Sequence, residues 1–256
     1  MPMPIPRRHA VEEAAGSAVS IAAVSSAVKW TGGQYAAPAA MMGKLYFTAY
    51  DGINYTCSAT VTASESKSVI FTAAHCLHGG FYGGYSTNLV FYPAIKDGFQ
   101  SNYGSWAGKR IEVPLGWRTN RYPELDFGAV VLWANSSGQT IQSRTGALGI
   151  TWNQPKNVYA WAFGYPGVAP FNGNNLYYCN GNTSTAFGNT SVLWIYCNMT
   201  QGASGGAWLY NFNSSTGMGL LNGVTSDILV CCGWPTIYSP WFGPTAGAVY
   251  NAVRYG

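Results

Sequence analysis

The chain has 256 residues, 13 Lys and Arg against 9 Asp and Glu, and a net charge of +4. With 48% hydrophobic, 15% aromatic and only 9% charged residues it is no disordered chain, and it is long enough to bury a substantial core. Its basic residues are scattered apart from Arg7-Arg8 and Lys109-Arg110, which argues against the basic stripe of a nucleic-acid binder.

Residues 1–38 open with basic residues and continue Ala- and Ser-rich, after Glu12-Glu13, from Ala14 to Val28. That is a poor hydrophobic region for a signal peptide, so this part reads as a leader remnant or pro-segment. Beyond Pro38 come short runs rich in β-branched and aromatic residues, separated by Gly, Asn, Pro or Ser. Strands are expected at Lys44–Tyr50, Tyr55–Thr62, Ser68–Thr72, Asn88–Tyr92, Arg110–Val113 and Phe127–Trp133. After a polar stretch, further strands are expected at Asn157–Gly164, Leu176–Cys179, Val192–Cys197, Gly206–Tyr210, Gly217–Thr225 and Thr236–Tyr238. Two groups of six strands without βαβ alternation predict an all-β protein of two antiparallel barrels, over 39–140 and 141–256. At the end, apolar residues at 246, 249, 250 and 253, with Pro244 in the first turn, predict one helix.

Between Asn157 and Ser226 there is no Asp, Glu, Lys, Arg or His, yet Gly, Asn, Ser and Thr break the stretch too often for a membrane span. A surface kept soluble by Asn, Ser, Thr and Tyr suits a secreted protein, and six cysteines without a CxxC pair suit disulfides rather than a zinc ribbon. Sequons stand at Asn54, Asn135, Asn182, Asn189, Asn198 and Asn213, against roughly three expected by chance. The excess fits polar loops and a glycoprotein alike.

Three segments carry chemistry: Phe71-Thr72-Ala73-Ala74-His75-Cys76, Leu125-Asp126-Phe127-Gly128, and Thr200-Gln201-Gly202-Ala203-Ser204-Gly205-Gly206. A serine hydroxyl needs an adjacent base, and the base needs a third group to fix its tautomer. His9 lies in the leader, which leaves His75 and His78 as bases. Asp126 heads an apolar strand, where an unpaired ion is costly. Glycines around Ser204 let the N–H groups of Gly202 and Ser204 converge on one point, as an oxyanion site requires. Each segment alone also has a plain structural reading: a core histidine, a strand-end aspartate, a Gly-rich hairpin.

Together the three segments resemble the chymotrypsin-like serine peptidases, closest to the secreted bacterial-type branch of V8-like glutamyl endopeptidases. The order His75, Asp126, Ser204 is that family's order, and Cys57-Ser58-Ala59-Thr60-Val61, Ile195-Tyr196-Cys197-Asn198-Met199-Thr200 and Pro240-Trp241-Phe242-Gly243-Pro244 extend the likeness over roughly residues 40–256. The resemblance implies a secreted, monomeric endopeptidase without cofactor or metal, acting on proteins or peptides. His75 would be the base, Asp126 its orienter, Ser204 the nucleophile, and Gly202 with Ser204 the oxyanion hole. The alternative is an inactive binding or adhesion protein on a protease fold. The resemblance also implies a Cys57–Cys76 disulfide, with Cys179–Cys197 as the second pair and adjacent Cys231–Cys232 left as a vicinal bond or free thiols. The trypsin-type Asp before the nucleophile is Ala203 here, so no zymogen ion pair with a new amino terminus is expected. The substrate pocket is expected from Asn198, Met199, Thr200, Thr225, Ser226 and Asp227. With no acid at 198 or 199 and no histidine at 225, an uncharged residue is expected before the scissile bond, with a basic one as the alternative should Asp227 turn into the pocket. His75, Cys76 and His78 lack a fourth ligand for a metal.

Overall fold

The structure, a computed structural model, describes residues 26–231 and 234–256. Most of the expected leader therefore lies outside the described residues, as does Cys232 and with it the Cys231–Cys232 pairing. The strands in chain order are β1 (Val28–Lys29), β2 (Met42–Thr48), β3 (Asn54–Thr62), β4 (Val69–Thr72), β5 (Thr87–Pro93), β6 (Trp106–Glu112), β7 (Gly128–Leu132) and β8 (Gly149–Ile150). There follow β9 (Tyr159–Gly164), β10 (Tyr177–Asn182), β11 (Ser184–Ala186), β12 (Asn189–Tyr196), β13 (Ala207–Asn213), β14 (Met218–Val224), β15 (Asp227–Cys231) and β16 (Trp234–Pro240). Helices are short, α1 (Leu115–Asn120) and α2 (Ile141–Thr145), except for the terminal α3 (Pro244–Val253). This is the expected all-β architecture with a carboxyl-terminal helix.

In the first half, β2-β3-β4-β7-β6-β5 close into a six-stranded barrel. Its central strands, Val69-Ile70-Phe71-Thr72 and Gly128-Ala129-Val130-Val131-Leu132, are buried throughout. Such β-branched and aromatic runs fit a sheet covered on both faces. In register, Thr72 stands opposite Gly128. His75 follows Thr72 by three residues and Asp126 precedes Gly128 by two, so the ladder brings both to the same barrel rim.

The second half forms two sheets, β1-β10-β9-β13-β14-β8 and β11-β12-β16-β15. A second apolar cluster joins them, with Leu193, Ile195, Met199, Trp208 and Ile237 at its centre. β13 opposes β14 with Ala207 across from Val224, which places the segments just before 207 and just after 224 at one end. Amphipathic α3 turns Ala246, Val249 and Val253 inward, and Tyr250 Oη donates to the carbonyl of Ala63 at 3.0 Å.

Several elements go beyond the sequence expectation. Residues 26–38, grouped there with the leader, thread across both halves: Val28 and Lys29 pair with Tyr178 and Tyr177 and the Trp30 ring meets Phe163, Tyr178 and Phe212 edge-on, while Gln34 donates to the Ala94 carbonyl and Tyr35 meets Tyr103 edge-on. Two-residue strands and one-turn helices such as β1, β8 and α1 leave no periodicity to read. β15 was unforeseen because the chain leaves one sheet at Val224 and enters the other at Asp227, which masks a second strand behind the first.

Candidate active site

His75 lies in a single 3₁₀ turn, Ala74–Cys76, directly after β4. Asp126 ends another such turn and leads into β7. Its carboxylate is buried, with 3% of the residue exposed, so its charge needs partners. They are the His75 backbone N–H on Oδ1 at 2.8 Å, His75 Nδ1 at 2.7 Å from Oδ2, and Ser226 Oγ donating to Oδ2 at 2.6 Å. A carboxylate at Nδ1 keeps the neutral ring's proton there and leaves Nε2 as the basic nitrogen. Burial pulls the His75 pKa down, but the charge and hydrogen bond of Asp126, helped by Asp227, outweigh both burial and Arg121 and raise it above the ordinary histidine value.

The Ser204 loop is braced from the first barrel by Ser58 on β3. The Ser58 N–H donates to the Ser204 carbonyl at 2.7 Å, and Ser58 Oγ donates to the Gly202 carbonyl at 2.8 Å while accepting from the Tyr165 N–H at 2.9 Å. From the second half, the Gly167 N–H holds the Gln201 carbonyl at 2.7 Å and the Thr225 carbonyl accepts from the Gly205 N–H at 2.7 Å. Gly202 has φ +97°, and a Cβ there would stand 2.8 Å from the Tyr165 carbonyl oxygen, so only glycine fits. With the Gln201 carbonyl turned to Gly167, the Gly202 N–H, like that of Ser204, donates to no other group among the described residues.

Ser204 Oγ makes no hydrogen bond to His75 or to any other described residue. The Ser204 loop and the His75 loop nevertheless adjoin: a Cβ on Gly205 would run into Thr72 Oγ1 and the Ala73 nitrogen, just upstream of His75. Hydrogen bonds of this kind are commonly long without substrate.

The residues expected in the pocket are placed differently from one another. Asn198 is half-buried, and its Oδ1 accepts from the Ala27 N–H at 2.6 Å. Met199 is buried in the second apolar cluster. The Thr200 hydroxyl donates to the Val168 carbonyl and accepts from the Val168 N–H. Thr225 is fully buried, with Oγ1 accepting from Trp208 Nε1 at 3.0 Å. Ser226 is turned to Asp126, and Asp227 is half-buried on the side of His75, whose ring it influences.

Two residues thus act in ways the sequence did not single out: Ser226, read there as pocket lining, and Ser58, read as ordinary strand. For Ser58 the only signal is a small polar residue in an apolar run. Ala203 is fully buried in the second apolar cluster, as an apolar residue at that position should be.

The cluster Cys57, His75 and Cys76 has metal-like spacing, but both sulfurs are joined in a disulfide and His75 Nδ1 is held by Asp126. His78 Nδ1 accepts from the Gly80 N–H. The expected Cys57–Cys76 and Cys179–Cys197 disulfides are both present.

No protein-family model and no curated protein matches the chain. Solved structures do. A thermostable serine protease, AL20, from an extremophilic microorganism is 34% identical, with a TM-score of 0.78 over 84% of this chain and 97% of that one. The protease Anisep from Arthrobacter nicotinovorans is also 34% identical, with a TM-score of 0.79 over 86% and 97%. A Glu endopeptidase at 17% identity has a TM-score of 0.71 over 90% and 97%, a likeness of fold.

Proposed function

The chain belongs to the chymotrypsin-like serine proteases, and on that premise we propose that it is a secreted endopeptidase working through His75, Asp126 and Ser204. The observation that carries the reading is the buried Asp126 carboxylate fixing the His75 ring at one rim, beside a loop whose Gly202 and Ser204 N–H groups are unspent. Its substrates are proteins or peptides.

In this reading His75 Nε2 takes the proton of Ser204 Oγ as the oxygen bonds to the scissile carbonyl carbon. The carbonyl oxygen becomes an oxyanion facing the Gly202 and Ser204 N–H groups, each such donor contributing about 3–4 kcal/mol. His75 then passes its proton to the departing amine nitrogen, the C–N bond breaks, and an acyl-serine remains. Water repeats the sequence: His75 takes its proton, its oxygen adds to the acyl carbon, and the Ser204 oxygen leaves with the proton restored. Asp126 stays ionised throughout and stabilises the imidazolium.

Two disulfides and the low charge support an extracellular site of action. Incubation with a fluorophosphonate tests the catalytic assignment. Covalent label on Ser204, abolished by His75→Ala, is expected; an unlabelled, folded protein would favour an inactive binding protein on this fold.

A further inference from the structure

Asp227 is the one charged residue on the sheet bordering the site, and beyond its influence on His75 its charge has no role in the proposed steps. Among the described residues it forms no ion pair, and its only hydrogen bond is Oδ1 accepting from the next backbone N–H, Ile228, at 2.8 Å. It begins β15, the outer strand of its sheet, paired on one side only, with β16. Such an edge is where an extended peptide adds as a further strand.

Side chains alternate along β15. Ile228 packs against the second apolar cluster, so Asp227 stands on the opposite, outer face. There it is directly across from Tyr238, which is itself across from Trp194, and Trp194 meets Tyr196 edge-on at 5.1 Å. The outer face therefore runs from the His75 side as a carboxylate and then a row of aromatic rings.

A carboxylate beside an aromatic ring is a site for a cation, held by the opposite charge and by the ring face. We propose that Asp227, with Tyr238 beside it, selects substrates carrying Lys or Arg at the position just upstream of the cleaved residue, P2. The position follows from the strand geometry. Ser226 Oγ on Asp126 and the Gly205 N–H on the Thr225 carbonyl put the start of β15 beside the Ser204 loop, so a peptide laid antiparallel to β15 with its scissile carbonyl at Ser204 sets the cleaved residue beside Ser226 and the residue upstream of it across from Asp227. Arg121, the cation acting on His75, forms no ion pair with Asp227 among the described residues; its guanidinium lies over the Trp117 ring at 5.8 Å and its stem against Gly80. Burial raises the Asp227 pKa, as befits an acid without a resident counter-ion.

The inference rests on the protease reading, and the two fail differently. The full chain would be assayed on paired peptides identical except for Lys or Gln at P2. The wild type is expected to favour Lys by about tenfold in kcat/KM, in the range of one well-placed contact. Asp227→Asn should bring the ratio near one, Asp227→Glu should restore most of it, and Asp227→Lys should reverse it toward a P2 Glu peptide. A wild-type ratio near one, or a ratio unchanged in Asp227→Asn, overturns the subsite while leaving the protease reading intact. A basic preference that instead appears at the cleaved residue and vanishes in Asp227→Asn overturns it too, by placing Asp227 in the primary pocket. Failure to label Ser204 with a fluorophosphonate or to cleave any peptide overturns the protease reading itself.

Discussion

The two halves of the molecule hold their share of the site in different ways. In the first half the six strands close on themselves, and ladder positions fix His75 and Asp126 at one rim. In the second half the strands divide into sheets of six and four, and Ser204 sits on a loop ahead of β13. A closed barrel has no edge and resists local opening; a divided one keeps an edge, here β15, for another chain to pair with. The loop gains its rigidity from the other half, through Ser58 on β3. In the proposed mechanism, the base and its orienter thus come from the closed half, while the nucleophile and the proposed substrate edge come from the open one.

The largest effects should follow from breaking the junction of the halves at its reacting atoms. Ser204→Ala and His75→Ala should each lower kcat on casein by about a millionfold, because in the proposed mechanism nucleophile and base act as a unit. Asp126→Asn should cost about 10⁴-fold, since it leaves the ring but favours the wrong tautomer. Circular dichroism of Ser204→Ala should match the wild type. Turnover near wild type in either of the first two variants would remove these residues from catalysis.

The disulfides separate the halves next. Cys57–Cys76 lies in the closed half and adjoins His75; Cys179–Cys197 ties β10 to the end of β12 in the open half. Replacing either pair by serine should cost about 2–4 kcal/mol in denaturant unfolding. Only loss of the first should also depress kcat strongly, because Cys76 anchors the turn carrying His75. Equal losses of activity from both pairs would contradict the division of labour.

The parts of this arrangement legible in the sequence are those with a residue-type signature. Strand runs, the helical spacing of Ala246, Val249 and Val253, and glycines around Ser204 follow from local chemistry, and the order of His75, Asp126 and Ser204 from the family likeness. Ser226 was noticed for the pocket, but its bond to Asp126 was not, because that depends on a residue one hundred positions away in the chain. Ser58 has the same hidden character, with partners at Tyr165, Gly202 and Ser204 that only the docking of the halves creates. The threading of residues 26–38 across the two halves is tertiary too, as Val28 and Lys29 find their partners in β10 and Tyr35 meets Tyr103.

Ser58 tests the bracing with a smaller effect. Ser58→Ala keeps the backbone donor to Ser204 but strips the Tyr165 N–H and the Gly202 carbonyl of their shared hydroxyl. Leaving buried polar groups unpaired costs about 1–3 kcal/mol each. Stability should fall by that order, and kcat by roughly tenfold, as a loosened oxyanion donor predicts. A drop in stability with kcat unchanged would mean that the loop holds its shape without help from the first barrel.

The smallest effect on catalysis, and the finest comparison, concerns two histidines three residues apart. His78 is buried, accepts from the Gly80 N–H at 2.9 Å, meets Tyr85 edge-on at 4.6 Å, and gives its carbonyl to Trp117 Nε1. Burial, and secondarily Arg118, lowers its pKa below 6.5, whereas that of His75 is raised above 6.5. The signs of their contributions to stability are therefore opposite. The His75 contribution is complete below pH 6.5 and is lost as pH rises through its raised pKa. The His78 contribution is complete above pH 6.5 and is lost as pH falls toward its lowered pKa, because the unfolded chain takes up the proton first. His78→Ala should leave kcat/KM within about threefold of wild type, since its ring nitrogen is spent on Gly80 and lies outside the proton path. It should also leave the acid limb of the activity profile where His75 sets it, above pH 6.5, while flattening the fall of melting temperature between pH 7 and the acid side. A variant whose acid limb moves, or whose melting profile keeps the wild-type slope, would show that the two rings do not titrate independently.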